Sequence, residues 1–272
     1  MTFSPVVPFA GFAGWSFLNR TMEAQKKVFA EQASVQRDTD YFREKIGSVT
    51  SAEDLVADRR LLKVALGAFG LQNDIDSRFF IQKVLSDGTL DDTDLANRLA
   101  DKSYYELASA FAFDLGAPST QISTFADDII TAYRDRQFEE AVGEVDDEMR
   151  LAMNARRELE KLAGKQSSED TKWFTILGSA PLRSVFQTAF GLPSSFAGID
   201  LDQQLGTMKS RADRYLGSSE VAQFTDPAQV DDLIKLFLLR SQAQQVASIS
   251  SGAAALTLLQ NAQSGGLLSR LA

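Results

Sequence analysis

Asp58-Arg59-Arg60-Leu61-Leu62-Lys63-Val64-Ala65-Leu66-Gly67-Ala68-Phe69-Gly70-Leu71 reads as one complete amphipathic helix with both of its stops in place. Asp58 is a side chain suited to accept the free N–H groups of a first turn, and Leu61, Val64, Ala65 and Ala68 recur at helical spacing. Gly70 then supplies the left-handed backbone that closes such a helix. The same pattern returns as Asp101 to Phe113, with a capping Asp, an apolar pair and an Ala-Phe end, and again as Leu182 to Leu192, where Leu182, Val185, Ala189, Phe190, Gly191 and Leu192 keep the spacing. A weaker fourth copy runs from Asp226-Pro227 to Leu238, with Pro227 placed for a first helical position.

These copies fall in pairs, 58–71 with 101–113 and 182–192 with 226–238, so the expected unit is a half of the chain and not a short solenoid repeat. Between them, residues 125 to 163 carry Ile129, Ile130, Tyr133, Phe138, Met149, Leu151, Leu159 and Leu162 in a charged background, which predicts long helices interrupted near Gly143 to Asp147. Upstream, Thr50-Ser51-Ala52-Glu53 has the hydroxyl and the acid three residues on that form a capping box. No window sustains the alternation of a half-buried strand, and only six prolines occur in 272 residues.

The predicted fold is therefore all-α, a continuous multi-helical body made of two related halves joined by long helices, with an extended apolar N-terminal arm. The expected divisions are an arm and leading helix over 1–47, a first half over 48–120, connecting helices over 121–166, a second half over 167–240 and a small-residue tail over 241–272, frayed or ordered by a partner. Phe69, Gly70, Phe111, Phe190 and Gly191 are the expected anchors of the recurring motif, the rings in the core and the glycines in the turns.

Composition closes off several kinds of chemistry. The chain has no Cys and no His, which removes thiolate nucleophiles, disulfides, zinc thiolate sites and imidazole bases. A net charge of −9 repels nucleic acid and anionic membranes at long range. Asp87-Gly88-Thr89-Leu90-Asp91-Asp92-Thr93-Asp94 is the most acidic run, but it lacks the Gly at position six and the Glu at position twelve of an EF-hand, and reads as a turn capping the next helix. Glu139-Glu140 and Asp146-Asp147-Glu148 alternate with arginines along a helix, the pattern of a solvated, ion-paired face. No grouping of carboxylate, Lys, Tyr or Ser suggests an active site, so we expect a non-enzyme that needs neither cofactor nor metal.

The N-terminal stretch is the candidate interaction site. Phe9, Phe12, Trp15 and Phe17 lie among Pro5, Pro8, Gly11 and Gly14, in a segment too short to form a core of its own. It either folds back on its own chain or inserts into a partner's groove, and a homo-oligomer built through this arm is one such outcome. No basic residue precedes its apolar run, so no cleaved signal peptide is expected. The stretch is also too broken to span a bilayer, which predicts no transmembrane helix and a soluble chain.

Several strings resemble the alphaproteobacterial DUF1217 family: Ala52 to Asp58, Ala68-Phe69-Gly70-Leu71, Lys83-Val84-Leu85, Ala96 to Lys102 and Ala110-Phe111, with Arg37 to Phe42 upstream and Leu192-Pro193 and Asp200 to Leu205 downstream. Gly11-Phe12-Ala13-Gly14-Trp15 is similar to the start of the variant in marine and photosynthetic relatives. The resemblance implies an all-helical protein with no assigned enzymatic activity and no catalytic residues to carry over. It also implies an association with flagellar biogenesis or motility, with an unidentified flagellar protein as partner and the cytoplasm or the flagellum as location. A different class of reading stays open beside it, a sensor or carrier holding an apolar small molecule between the two halves.

Overall fold

The computed structural model describes residues 3–264, with side chains as far as Ala247. Among the described residues thirteen α-helices follow one another: α1 Gly11–Ala30, α2 Ala33–Lys45, α3 Ala52–Ala57, α4 Arg59–Phe69, α5 Arg78–Asp87, α6 Leu95–Arg98, α7 Ser103–Phe111, α8 Phe125–Val145, α9 Asp147–Ala163, α10 Glu169–Gly178, α11 Ala180–Phe190, α12 Leu201–Leu216 and α13 Pro227–Ser264. Among the described residues there is no strand. Short 3-10 turns join several of the helices.

The chain folds as two compact units instead of one continuous body. Unit 1 holds Met1–Pro8 and Gly14–Met153, and unit 2 holds Phe9–Ala13 and Asn154–Ala272. The boundary thus falls inside α9, within the expected connecting segment. The expected boundary at 240/241 falls inside α13, which continues without a break to Ser264. Residues 265–272 of the expected tail lie outside the described residues.

In unit 1 the recurring string forms α4, and its caps are those its residues dictate. Asp58 accepts from the N–H groups of Arg60 (2.9 Å) and Leu61 (3.2 Å), and Gly70 takes φ 77°. The Leu71 N–H then reaches back to the Leu66 C=O at 2.9 Å, satisfying a carbonyl that the helix end would otherwise leave unpaired. Leu62, Val64, Ala65 and Leu66 are wholly buried, and α4 packs chiefly along α8. That contact needs Gly67, because a Cβ there would lie 2.7 Å from the Tyr133 ring. The capping box ahead of α3 forms one residue later than the sequence suggests: Ser51 is the N-cap and Asp54 its reciprocal partner, leaving Glu53 exposed.

In unit 2, α11 ends as α4 does. Gly191 takes φ 63°, and the Leu192 N–H bonds to the Gln187 C=O at 2.8 Å. Its principal neighbour is α13, as α8 is for α4. The segment that stands to α11 as a packing partner is therefore matched in unit 1 by α8, not by residues 101–113 as their paired spacing suggests. Ile129-Ile130 and Tyr133 on α8 have Leu233-Ile234 and Phe237 at the same intervals on α13, all of them buried. Arg136 and Arg240 follow three residues after the ring in each case. Each Arg lies over the left-handed glycine of its own unit: a Cβ on Gly70 would sit 3.1 Å from Arg136 Nη1, and one on Gly191 would sit 2.6 Å from Arg240 Nη1. A guanidinium at a helix C-terminus complements the partial negative charge of its last carbonyls.

The expected anchor rings have unequal surroundings. Phe190 is buried between Phe186 (5.5 Å) and a stacked Tyr215 (5.9 Å), and Phe111 is buried against Phe125 (5.0 Å). Phe69, expected in the core, shares the face of α4 that carries Leu62, Ala65 and Leu66, but as the last residue of the helix it is only partly buried, at the edge of that core. Ala112, closing α7 where the copies at 58–71 and 182–192 have Gly, holds φ 52°, a conformation that costs an L-residue roughly 1–2 kcal/mol.

Candidate interaction site

The N-terminal stretch is shorter as an arm than its sequence suggests. The helix α1 starts at Gly11, so Phe12, Trp15 and Phe17 are helical and only residues up to Ala10 precede it. Trp15 is 3% exposed, and its ring belongs to the packed interior. Phe12 and Phe17 are half-buried, and the Lys235 ammonium lies 5.8 Å from the Phe12 ring centroid within unit 2. Phe9 is 59% exposed, the most open of the four.

Residues 3–8 lie against α1 and are held there by their backbone. The Gln25 carboxamide oxygen accepts from the Val6 N–H at 2.7 Å, and its Nε2 donates to the Val6 C=O at 3.1 Å. The same Nε2 also donates to Thr21 Oγ1 at 2.8 Å, which fixes the amide. Beside this clamp Phe3 meets Phe29 edge to face at 6.4 Å, and Phe29 meets Phe138 at 5.7 Å. Pro5 is buried, whereas Ser4, Val6, Pro8, Phe9 and Ala10 are exposed. Sequence reasoning missed Gln25 because a glutamine inside a helix carries no signal of its own.

The acidic run forms a self-contained turn. Asp91 accepts from the Thr93 N–H and hydroxyl, both at 2.8 Å, and Asp94 accepts from the Asp91 N–H at 2.8 Å. Those bonds hold the Asp91 carboxyl below the usual carboxylate range. Among the described residues no group of His, Cys, Asp or Glu is placed to hold a metal ion. Of the carboxylates expected on a solvated face, Glu140 is exposed and accepts from Gln137 at 3.0 Å, but Glu139 is buried at 7% exposure, because it lies on the inward face of α8 beside Phe138 and Val142.

Other polar groups fix the units internally. Tyr41 donates to Asp58 at 2.6 Å beneath the Arg60 guanidinium, 3.8 Å above its ring. The Asp58 hydrogen bond raises the Tyr41 pKa. Burial and then the bond to Asp74 at 2.8 Å push Tyr104 up to about 12. In unit 2, Lys172 is 5% exposed and donates to the Ala163 C=O and to Glu169, both at 3.0 Å. Glu169 in turn accepts from the Val221 (2.5 Å) and Ala222 (3.3 Å) N–H groups. Burial works against the Glu169 carboxylate, but Lys172 and the two N–H groups hold its pKa below the ordinary value. Each of these arrangements joins helices and turns. No helix among the described residues is long and apolar enough to cross a membrane.

The comparisons agree with this architecture. A crystal structure of an Agrobacterium tumefaciens protein, determined by a structural genomics consortium, is similar with a TM-score of 0.73 and 26% identity, over 89% of this chain and 99% of that one. The curated proteins include no match. The family model described as a protein of unknown function, DUF1217, matches residues 68–230, from the end of α4 to the first turn of α13. The chain belongs to the DUF1217 family.

Proposed function

We propose that the protein is a non-catalytic interaction component of flagellar biogenesis or motility, structural or chaperone-like, working in the cytoplasm or at the flagellum. The flagellar part comes from the family resemblance. The interaction part is carried by one observation: on α5, Phe79 stands 88% exposed while its neighbour Phe80 packs edge to face on Tyr104 at 5.2 Å. A ring of that size left in water gives up roughly 1.5–3 kcal/mol of burial, which a partner protein would recover. We read the shared ending of α4 and α11, with their long partner helices, as one helical device used twice to hold such surfaces rigid.

The test is a chromosomal Phe79→Ser substitution beside a clean deletion, scored by swimming and by filament assembly. The deletion is expected to impair both, and Phe79→Ser is expected to reproduce that defect with the protein at normal abundance. Normal swimming in the deletion strain removes the flagellar part. A motility defect in the deletion with none in Phe79→Ser removes this face as the contact.

A further inference from the structure

Three guanidiniums of unit 2 gather on one phenol. Tyr215, near the end of α12, accepts at its hydroxyl oxygen from Arg211 Nη1 at 3.4 Å and from Arg240 on α13. The Arg240 Cζ lies 4.6 Å from the Tyr215 ring centroid and the Arg214 Cζ 5.6 Å, while Phe190, stacked at 5.9 Å, fixes the ring. The Arg240 hydrogen bond, helped by the charges of Arg240 and Arg214, holds the phenol pKa below its ordinary value against burial. Among the described residues none of the three arginines pairs with a carboxylate; the ion pairs of unit 2 use Arg156, Arg157, Lys172 and Lys209 instead. Asp213, beside Arg214 in the chain, is exposed.

Like charges held together without a counter-charge repel one another, and the cost grows where they are half-buried, as Arg211 and Arg240 are. Unit 1 is built differently. Glu140 follows Arg136 by four residues, the spacing at which a helix pairs opposite charges, whereas the matching position after Arg240 is Gln244. The place of Arg240 over the Gly191 turn accounts for one guanidinium and leaves Arg211 and Arg214 without a structural reason to be there.

We infer that Arg211, Arg214, Arg240 and the Tyr215 hydroxyl form a binding site for a phosphate group, taken free or as a monoester. A carboxylate is satisfied by one guanidinium fork, whereas a phosphate offers three oxygens and roughly two charges to three arginines. Because Arg211 and Arg240 both donate to the phenol oxygen, its O–H is left to donate to the ligand. The net charge of −9 repels long polyanions, so the site suits a single phosphate group and not a nucleic acid. The inference does not rest on the flagellar reading.

The test titrates the full-length protein with inorganic phosphate and with phenyl phosphate by calorimetry, in chloride buffer at fixed ionic strength. One-to-one saturation is expected. Arg214→Gln, at an exposed position, is expected to weaken binding at least about tenfold, as the loss of a charge-assisted hydrogen bond implies, and Arg211→Gln is expected to do the same. Arg98→Gln, an equal change of charge at an exposed position of unit 1, is expected to leave binding unchanged. Saturation by either ligand with this pattern of variants supports the inference, and the tighter ligand names the source. No saturation by either, acetate binding as tightly as phosphate, or the same loss in Arg98→Gln as in Arg214→Gln overturns it.

Discussion

Phe186→Ala is expected to destabilise unit 2 by about 3–5 kcal/mol, the cost of emptying a wholly buried aromatic site whose neighbours relax only in part. The ring stands at the centre of an aromatic cluster, edge to face with Trp173 at 5.4 Å, Phe190 at 5.5 Å and Phe224 at 5.8 Å. Those neighbours come from α10, α11 and the turn before α13, so one truncation loosens three elements. Whole domains are stable by only about 5–15 kcal/mol, and a loss of this size brings unit 2 near its limit. The chain has two tryptophans, so a Trp15→Phe background leaves Trp173 as the sole indole reporter, beside the lost ring. Urea unfolding followed by Trp173 fluorescence gives the change directly. A shift below about 1 kcal/mol contradicts the packing described.

Lys172→Ala is the second large effect, expected at about 3 kcal/mol, because it removes a buried cation from a carboxylate that stays in place. The Ala163 carbonyl also loses its donor. Lys172→Met keeps most of the apolar stem and is expected to cost less, and adding Glu169→Gln to it is expected to cost less than the two single changes summed. The pH dependence has a definite sign. The depressed Glu169 pKa means its stabilisation is present above the ordinary carboxylate value and lost as pH falls through the lower folded value. The penalty of Lys172→Met therefore shrinks as pH falls below the ordinary carboxylate range, and a penalty independent of pH would show that the pair contributes nothing as an ion pair.

Local chemistry was legible in the sequence where cause and effect lie close together along the chain. Asp58, Gly70 and Gly191 announce helix ends through residue type alone, and the structure places all three as caps. The bounds of α4 follow from fourteen consecutive residues. What the sequence hid depends on distant partners. Glu169 and Lys172 look like a solvated first turn until the Val221 and Ala222 N–H groups arrive to bond the Glu169 carboxylate. The start of α1 is hidden in the sequence because Gly11 and Gly14 look like breakers, yet Gly14 and Trp15 are buried within a helix that tolerates them. The counterpart of α13 is α8 and not residues 101–113, which share with 226–238 only an Asp and an apolar pair. The informative feature was the interval from the apolar pair through Tyr133 or Phe237 to Arg136 or Arg240.

The helices α4 and α11 close through the same left-handed glycine turn. Parallel denaturation of Gly70→Ala, Gly191→Ala and Gly206→Ala checks this. Gly206 lies inside α12 with open space where a Cβ would go. The two turn variants are expected to lose roughly 1–2 kcal/mol each, from forcing an L-residue to positive φ, whereas Gly206→Ala is expected to gain about 0.5–1 kcal/mol. Stabilisation by alanine at position 70 or 191 would mean that the turn there is not left-handed, and the shared construction of the two helix ends would be wrong.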